Sequence, residues 1–155
     1  MIANKAAIPL RLALEEIQEK IKSILEQETL PEGYLQDVET VIRGDRARPK
    51  PATPVIWLFT NSVSPEGKTL GLTQDNGFSI TLSVVYKNDD PSKGFSMASD
   101  IALRAREVIL RDRKLGLDYV SDIKDINTTL SNPAMANGNL YNAEWMFSVK
   151  FTSKN

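Results

Sequence analysis

Two stretches with strict two-residue alternation constrain the fold of this chain most. In FSITLSVVY, residues 78–86, apolar side chains alternate with Ser79, Thr81 and Ser83. In YNAEWMFSVKFT, residues 141–152, every second position from Tyr141 to Phe151 is apolar, and most of these residues are large. Successive residues of a strand point to opposite faces, so each stretch predicts a strand with one buried face. The second is expected to lie inside the sheet, because nearly every inward position is large.

Two amphipathic helices are predicted to pack on this sheet. The first runs roughly from Ala6 to Glu28, with Pro9 tolerated only near its first turn. Its apolar residues recur at steps of three and four: Leu10, Leu14, Ile17, Ile21 and Ile24. A coiled coil is the alternative, but the repeat ends at a proline after about three heptads, which favours packing on a sheet. The second helix runs from about Phe95 to Asp112, and Asp90 before Pro91 is suited to be its N-cap.

The remaining segments complete a single α+β domain over residues 1–155. ETVIR (39–43) and VIWLFT (55–60) predict strands, the second covered on both faces. Residues 44–54 are expected to form an exposed Pro-rich connection, because prolines cannot donate ladder hydrogen bonds. Residues 61–77 predict a long loop or hairpin arm ending in a turn at Asp75-Asn76-Gly77. Residues 118–130 predict a strand with a bulge.

The resulting order is α-β-β-β-α-β-β. It predicts a mostly antiparallel sheet of about four to five strands with both helices packed on it.

Composition argues against most enzyme classes. The chain has 155 residues with neither cysteine nor histidine, which removes disulfides, thiolate nucleophiles, most zinc chemistry and the usual general base. The formal net charge is −1, so no global field would attract nucleic acid or an anionic membrane. No apolar run approaches the length that spans a bilayer. We expect no enzyme, cofactor or metal, and a protein made in a cytoplasm.

Several short motifs suggest chemistry that their context does not support. Arg43-Gly44-Asp45 spells an integrin-recognition tripeptide, but such matches are common by chance. The cations Arg43, Arg46, Arg48 and Lys50 could neutralise phosphates, yet no aromatic residue is interleaved with them for base stacking. The carboxylate pairs 15–16, 89–90 and 122/125 have no metal-ligand spacing. The glycines at 67, 71 and 77 follow no phosphate-loop pattern.

The order and spacing of these elements resemble the tail terminator, or tail completion, proteins of long-tailed bacteriophages. The resemblance extends from about Ile8 to Thr152. In sequence it is carried by PVIWLF after the proline connection, FSITLSVVY before a helix, and the ending AEWMFSVKFT.

The resemblance implies a structural virion protein. Members of that family cap the growing tail tube, typically as a six-fold ring, and present the surface to which the neck of the filled head attaches. The implied partners are further copies of the chain, the tail tube protein and a neck or head-completion protein, with no specific nucleic acid and no membrane. The implied location is the head-proximal end of the virion tail, after assembly in the host cytoplasm. The loops would supply the subunit and tube contacts, and the residues we assign to them are Arg43, Arg46, Arg48, Lys50, Glu66, Lys68, Asn137 and Asn139.

Two other functions are compatible with the sequence. A head–tail connector or neck protein has a similar layout and would bind portal-side partners instead of the tube. A small nucleic-acid-binding module would use the 43–50 cations and would bind less tightly as salt rises.

Overall fold

Two helices and a six-stranded mixed sheet make up the domain in a computed structural model, which describes residues 7–46, 51–67, 71–132 and 137–154. The elements in chain order are β1 (Ile8–Pro9), α1 (Leu10–Glu28), β2 (Thr40–Arg43), β3 (Val55–Pro65), β4 (Thr73–Lys87), α2 (Pro91–Leu110), β5 (Val120–Thr129) and β6 (Leu140–Lys154). A 3₁₀ turn, Gly44–Arg46, follows β2. The predicted α+β class is confirmed.

The sheet is built around β6 and β4. These two strands pair antiparallel over their whole length, from Thr73 opposite Lys154 to Lys87 opposite Leu140. The strand order is β1-β6-β4-β3-β2, and β5 also pairs with β6. The predicted inner position of the last strand is therefore confirmed. The sheet has one strand more than predicted, because the two-residue β1 pairs with the end of β6, and it is mixed, because β1–β6 and β2–β3 are parallel.

The core lies between the two helices and one face of this sheet. The alternation in β4 and β6 places the apolar residues predicted for that face, such as Ile80, Leu82 and Phe147, in one buried cluster. Trp145 is fully buried, and its indole N–H donates to Asp125. From α1, Ala13, Ile17, Ile21 and Leu25 join the cluster. The preference for packing on a sheet over a coiled coil is thus confirmed.

Both helices begin at a different residue from the one predicted. Helix α1 starts at Leu10, not at Ala6, because Ile8 and Pro9 pair with Ser153 and Lys154 instead. Leu10, expected in the apolar stripe, is 39% exposed. Helix α2 starts earlier than predicted, at Pro91, and the predicted cap is confirmed: the Asp90 side chain accepts a hydrogen bond from the Ser92 N–H at 3.1 Å.

The turn predicted at Asp75-Asn76-Gly77 is wrong, because these residues lie within β4: all three pair with β6, and Asn76 and Gly77 also pair with β3. The Asn76 side chain donates to Gln74 O and Ser153 Oγ. Gly77 leaves room for a neighbour, since a Cβ there would lie 2.1 Å from the Glu66 carboxylate. The connection is made earlier, between Pro65 and Thr73, where Gly67 and Gly71 adopt positive φ. The described residues of the predicted loop or hairpin arm, 61–67 and 71–77, thus belong to a β-hairpin.

Strand β5 has the predicted bulge and a second one, between Val120 and Asp122 and between Asp125 and Asn127. Strand β3 departs from prediction, because only its first half is covered. Phe59 is 42% exposed, so VIWLFT is not buried on both faces.

Candidate interaction surface

One face of the sheet carries no helix within the described part of the chain, and we call it the open face. Trp57 and Phe59 project from β3 onto it, opposite Ser83 and Thr81 of β4. Their rings stack with centroids 5.9 Å apart and an interplanar angle of 13°. Phe59 also abuts Gly44, where a Cβ would lie 2.5 Å from the ring. The open face therefore presents a partly exposed aromatic pair held rigidly on a strand.

The middle of the open face is uncharged apart from Glu144. Small hydroxyl residues of β4 and β6 occupy it, and amide side chains satisfy their hydrogen-bonding groups. Asn61 Nδ2 donates to Thr81 Oγ1 at 2.9 Å, and Asn142 Nδ2 donates to Ser83 Oγ at 2.7 Å. Met146, 36% exposed, lies opposite Thr81. Such a surface is suited to contact another protein, because few charges would have to lose their water.

Arg43 is not the exposed contact residue that the sequence predicted. It ends β2 with a side chain only 3% exposed, directed at α1. Its guanidinium donates to Glu15 and Glu19 at 2.8 Å each, and to Asp45 at 2.8 and 3.1 Å. Burial opposes its charge, but the hydrogen bonds to Glu19, Asp45 and Glu15 outweigh burial and raise the pKa of Arg43. Arg43 thus ties α1 to β2 inside one subunit.

The arginines of α2 also form internal ties. Arg104 binds Asp37 with both terminal nitrogens, at 2.9 and 2.7 Å, and this hydrogen bonding lowers the pKa of Asp37. Arg106 pairs with Asp125 on β5, and this pairing, with the Trp145 N–H, lowers the pKa of Asp125. These two arginines join α2 to the loop after α1 and to β5.

The other predicted contact residues lie at two separate places. Glu66 follows β3 and pairs with Lys150 near the hairpin turn. At the opposite end of the sheet, Asn137 forms a bridge with Leu140, and Asn139 donates to Asp89 at 3.1 Å. Arg46 lies in the 3₁₀ turn, whereas Arg48, Lys50 and Lys68 fall outside the described residues. The assigned residues therefore do not form one cluster.

Two surface clefts are candidate small-molecule sites. One, of about 280 Å³, lies between the ends of α1 and α2 and is lined in part by Lys20, Glu28 and Arg111. Another, of about 520 Å³, lies on the open face beside Val55, Trp57 and Leu140. Neither brings together a nucleophile and a base. No group of three carboxylates among the described residues is placed to hold a metal ion.

Trp57 and Phe59 are the surface residues that sequence reasoning missed. A run of six apolar or β-prone residues predicts burial, but neither helix in the described ranges covers the open face, which leaves the pair partly exposed. In the part of the chain that the structure describes, no helix is long and apolar enough to cross a bilayer. Neither a protein-family model nor a curated protein sequence matches the chain.

Proposed function

We propose that this protein is a structural component of a bacteriophage tail that caps the tail tube as a ring of identical subunits. In this role it ends tube elongation and provides the surface to which the head attaches. The observation that carries the proposal is the open face, a rigid sheet surface with a partly exposed aromatic pair and a middle whose one charged residue is Glu144. Aromatic side chains and methionine are enriched where proteins contact one another, so a protein partner is expected for the face that carries Trp57, Phe59 and Met146.

The element order supports the proposal. Apart from the two-residue β1, the chain follows the order α-β-β-β-α-β-β on which the resemblance to tail terminator proteins rests. A ring needs heterologous contacts, in which one patch of a subunit meets a different patch of the next. The assigned contact residues lie at opposite ends of the sheet, which is compatible with such contacts.

The internal use of arginine also favours a protein partner over nucleic acid. Arg43 is the first cation of the 43–50 run, and its charge is already matched by three carboxylates. Binding of phosphates by that run would depend on Arg46, Arg48 and Lys50 alone. Fewer phosphate contacts mean weaker binding and a shallower salt dependence.

Electron microscopy of labelled protein on tail tubes tests this proposal. Tubes assembled from the tube protein of the same phage would be mixed with the purified chain carrying a gold label. The label is expected at one tube end only. The variant Phe59→Asp, which puts a charge into the aromatic pair, should lose end binding, whereas Leu103→Asp on the exposed side of α2 should retain it. Label along the tube walls, or no label on tubes, would contradict the proposal.

A further inference from the structure

The most exposed large apolar side chain that the structure describes lies at the tip of the β3–β4 hairpin. Leu72 is 81% exposed, more than any other large apolar residue that the structure describes. It stands between Gly71, whose φ of +62° turns the chain, and Thr73, the first residue of β4, which is buried. The start of β4 anchors Leu72 in the sheet through the pairing of Thr73 with Lys154. The leucine is thus presented at the end of a firm strand.

An apolar cleft lies at the other end of the same strands. It has a volume of about 520 Å³, and its walls include Val55, Trp57, Val85, Lys87 and Leu140. Strand pairing fixes these walls, since Val85 lies opposite Val55 and Lys87 lies opposite Leu140. The cleft therefore has room for a leucine side chain and a mostly apolar lining to receive it.

Leu72 of one subunit cannot reach the cleft of the same subunit. Strand β4, Thr73–Lys87, runs from Leu72 to the cleft residues Val85 and Lys87, so the two features lie roughly 45 Å apart at about 3.3 Å per residue. A contact between Leu72 and the cleft must join two copies of the chain. It would be heterologous and would propagate from subunit to subunit, closing into a ring where the rotation allows.

Charges beside the two features are complementary. Asp75, three residues after Leu72, is exposed on the open face, and Thr152 Oγ1 donates to it at 2.8 Å. Lys87 is exposed at the cleft and shares that face, because the β4–β6 pairing has no register shift between residues 75 and 87. Within the described ranges, neither Asp75 nor Lys87 takes part in an ion pair. An unmatched carboxylate beside the leucine and an unmatched ammonium beside the cleft favour one relative orientation of two copies.

We propose that Leu72 of one subunit inserts into the Val55–Trp57–Leu140 cleft of the next, with Asp75 of the first facing Lys87 of the second. The inference rests on the proposed ring and names the contact between its subunits. The occupant of the cleft is a second copy of this chain.

Disulfide trapping tests this contact directly, because the natural chain has no cysteine. Leu72→Cys and Leu140→Cys chains, carrying different tags, would be mixed and oxidised. A heterodimer is expected for this mixture. The control mixture of Leu72→Cys with Leu103→Cys, whose α2 leucine is similarly exposed, should give little product. Equal trapping in both mixtures, or none at the highest protein concentration, would overturn the contact.

Charge exchange provides a second, independent readout. Asp75→Lys and Lys87→Glu should each weaken self-association by about tenfold or less, as expected for an exposed pair. A chain carrying both changes should recover most of the loss. Failure of the double variant to recover would contradict the orientation.

Tube-end binding that survives while trapping at 72–140 fails would reject this contact and leave the proposed function intact. Trapping at 72–140 without tube-end binding would support this contact and reject the proposed function.

Discussion

The replacement Arg43→Met tests whether Arg43 is an internal tie. Methionine keeps most of the aliphatic packing and removes the charge. The three carboxylates that Arg43 binds are about half exposed, at 47% for Glu15, 45% for Glu19 and 56% for Asp45. They can regain water when the guanidinium is gone, so the cost is smaller than for a fully buried ion pair.

The size of the effect follows from these exposures. Pairs with exposed partners contribute at most about 1 kcal/mol each, so losing three contributes about 3 kcal/mol. Repulsion among the three carboxylates adds to the loss, and their rehydration reduces it. We expect Arg43→Met to lower the free energy of unfolding by about 2–4 kcal/mol. The unfolding free energy of Arg43→Lys should lie between those of the wild type and Arg43→Met. An ammonium keeps the charge but cannot reproduce the guanidinium fork that binds Asp45 through two nitrogens.

Urea denaturation followed by circular dichroism measures this loss. The control is Lys22→Met, which removes the i,i+4 pair with Glu26 on the same helix and should cost below about 0.5 kcal/mol. If Arg43→Met were as stable as the control, Arg43 would not hold α1 to β2.

Three further perturbations test other parts of the structure. Gly94→Ala should destabilise the fold by about 1–2 kcal/mol in thermal or urea unfolding, because its Cβ would lie 2.2 Å from the buried Tyr141 ring and this overpacking exceeds the gain in helix propensity; a stability gain would show that the ring yields. Asp125→Asn should reduce the acid sensitivity of unfolding. The hydrogen bond from Arg106 lowers the pKa of Asp125, so the stabilisation of the fold by this carboxylate is complete above pH 3.8 and is lost as the pH falls below that value. Parallel profiles of unfolding free energy against pH for wild type and variant would refute this. Replacing Arg46, Arg48 and Lys50 together by Ser should leave the mass of the assembled protein unchanged if subunit contacts run through Leu72, and light scattering would detect any loss.

Short-range patterns in the sequence predicted the elements of the fold well. The alternation in β4 and β6 depends only on neighbouring residues, and it identified both strands and the face they bury. The cap at Asp90 depends on Pro91 and Ser92 directly after it. The helical stripe of α1 likewise predicted Ile17 and Ile21 as core residues, and both are fully buried.

Long-range contacts decided what could not be predicted. Glu15 and Glu19 lie 28 and 24 residues from Arg43, so nothing local to the RGD tripeptide indicates that its arginine is buried. Asp75-Asn76-Gly77 has favourable turn chemistry, but pairing with strands on both sides overrides it. The exposure of Phe59 depends on which sheet face the helices leave open. The cleft forms only when strands that are distant in sequence pair with one another. The exposure of Leu72, in contrast, depends only on the local turn.

Growth of tail tubes in the presence of this protein tests the central claim most directly. Tube protein polymerising in solution would be followed by light scattering while the chain is added at increasing ratios. A ring that caps tube ends should stop growth at a ratio far below one chain per tube subunit, since one ring closes a whole tube. Growth that continues, or that stops only near equal amounts of the two proteins, would contradict the account.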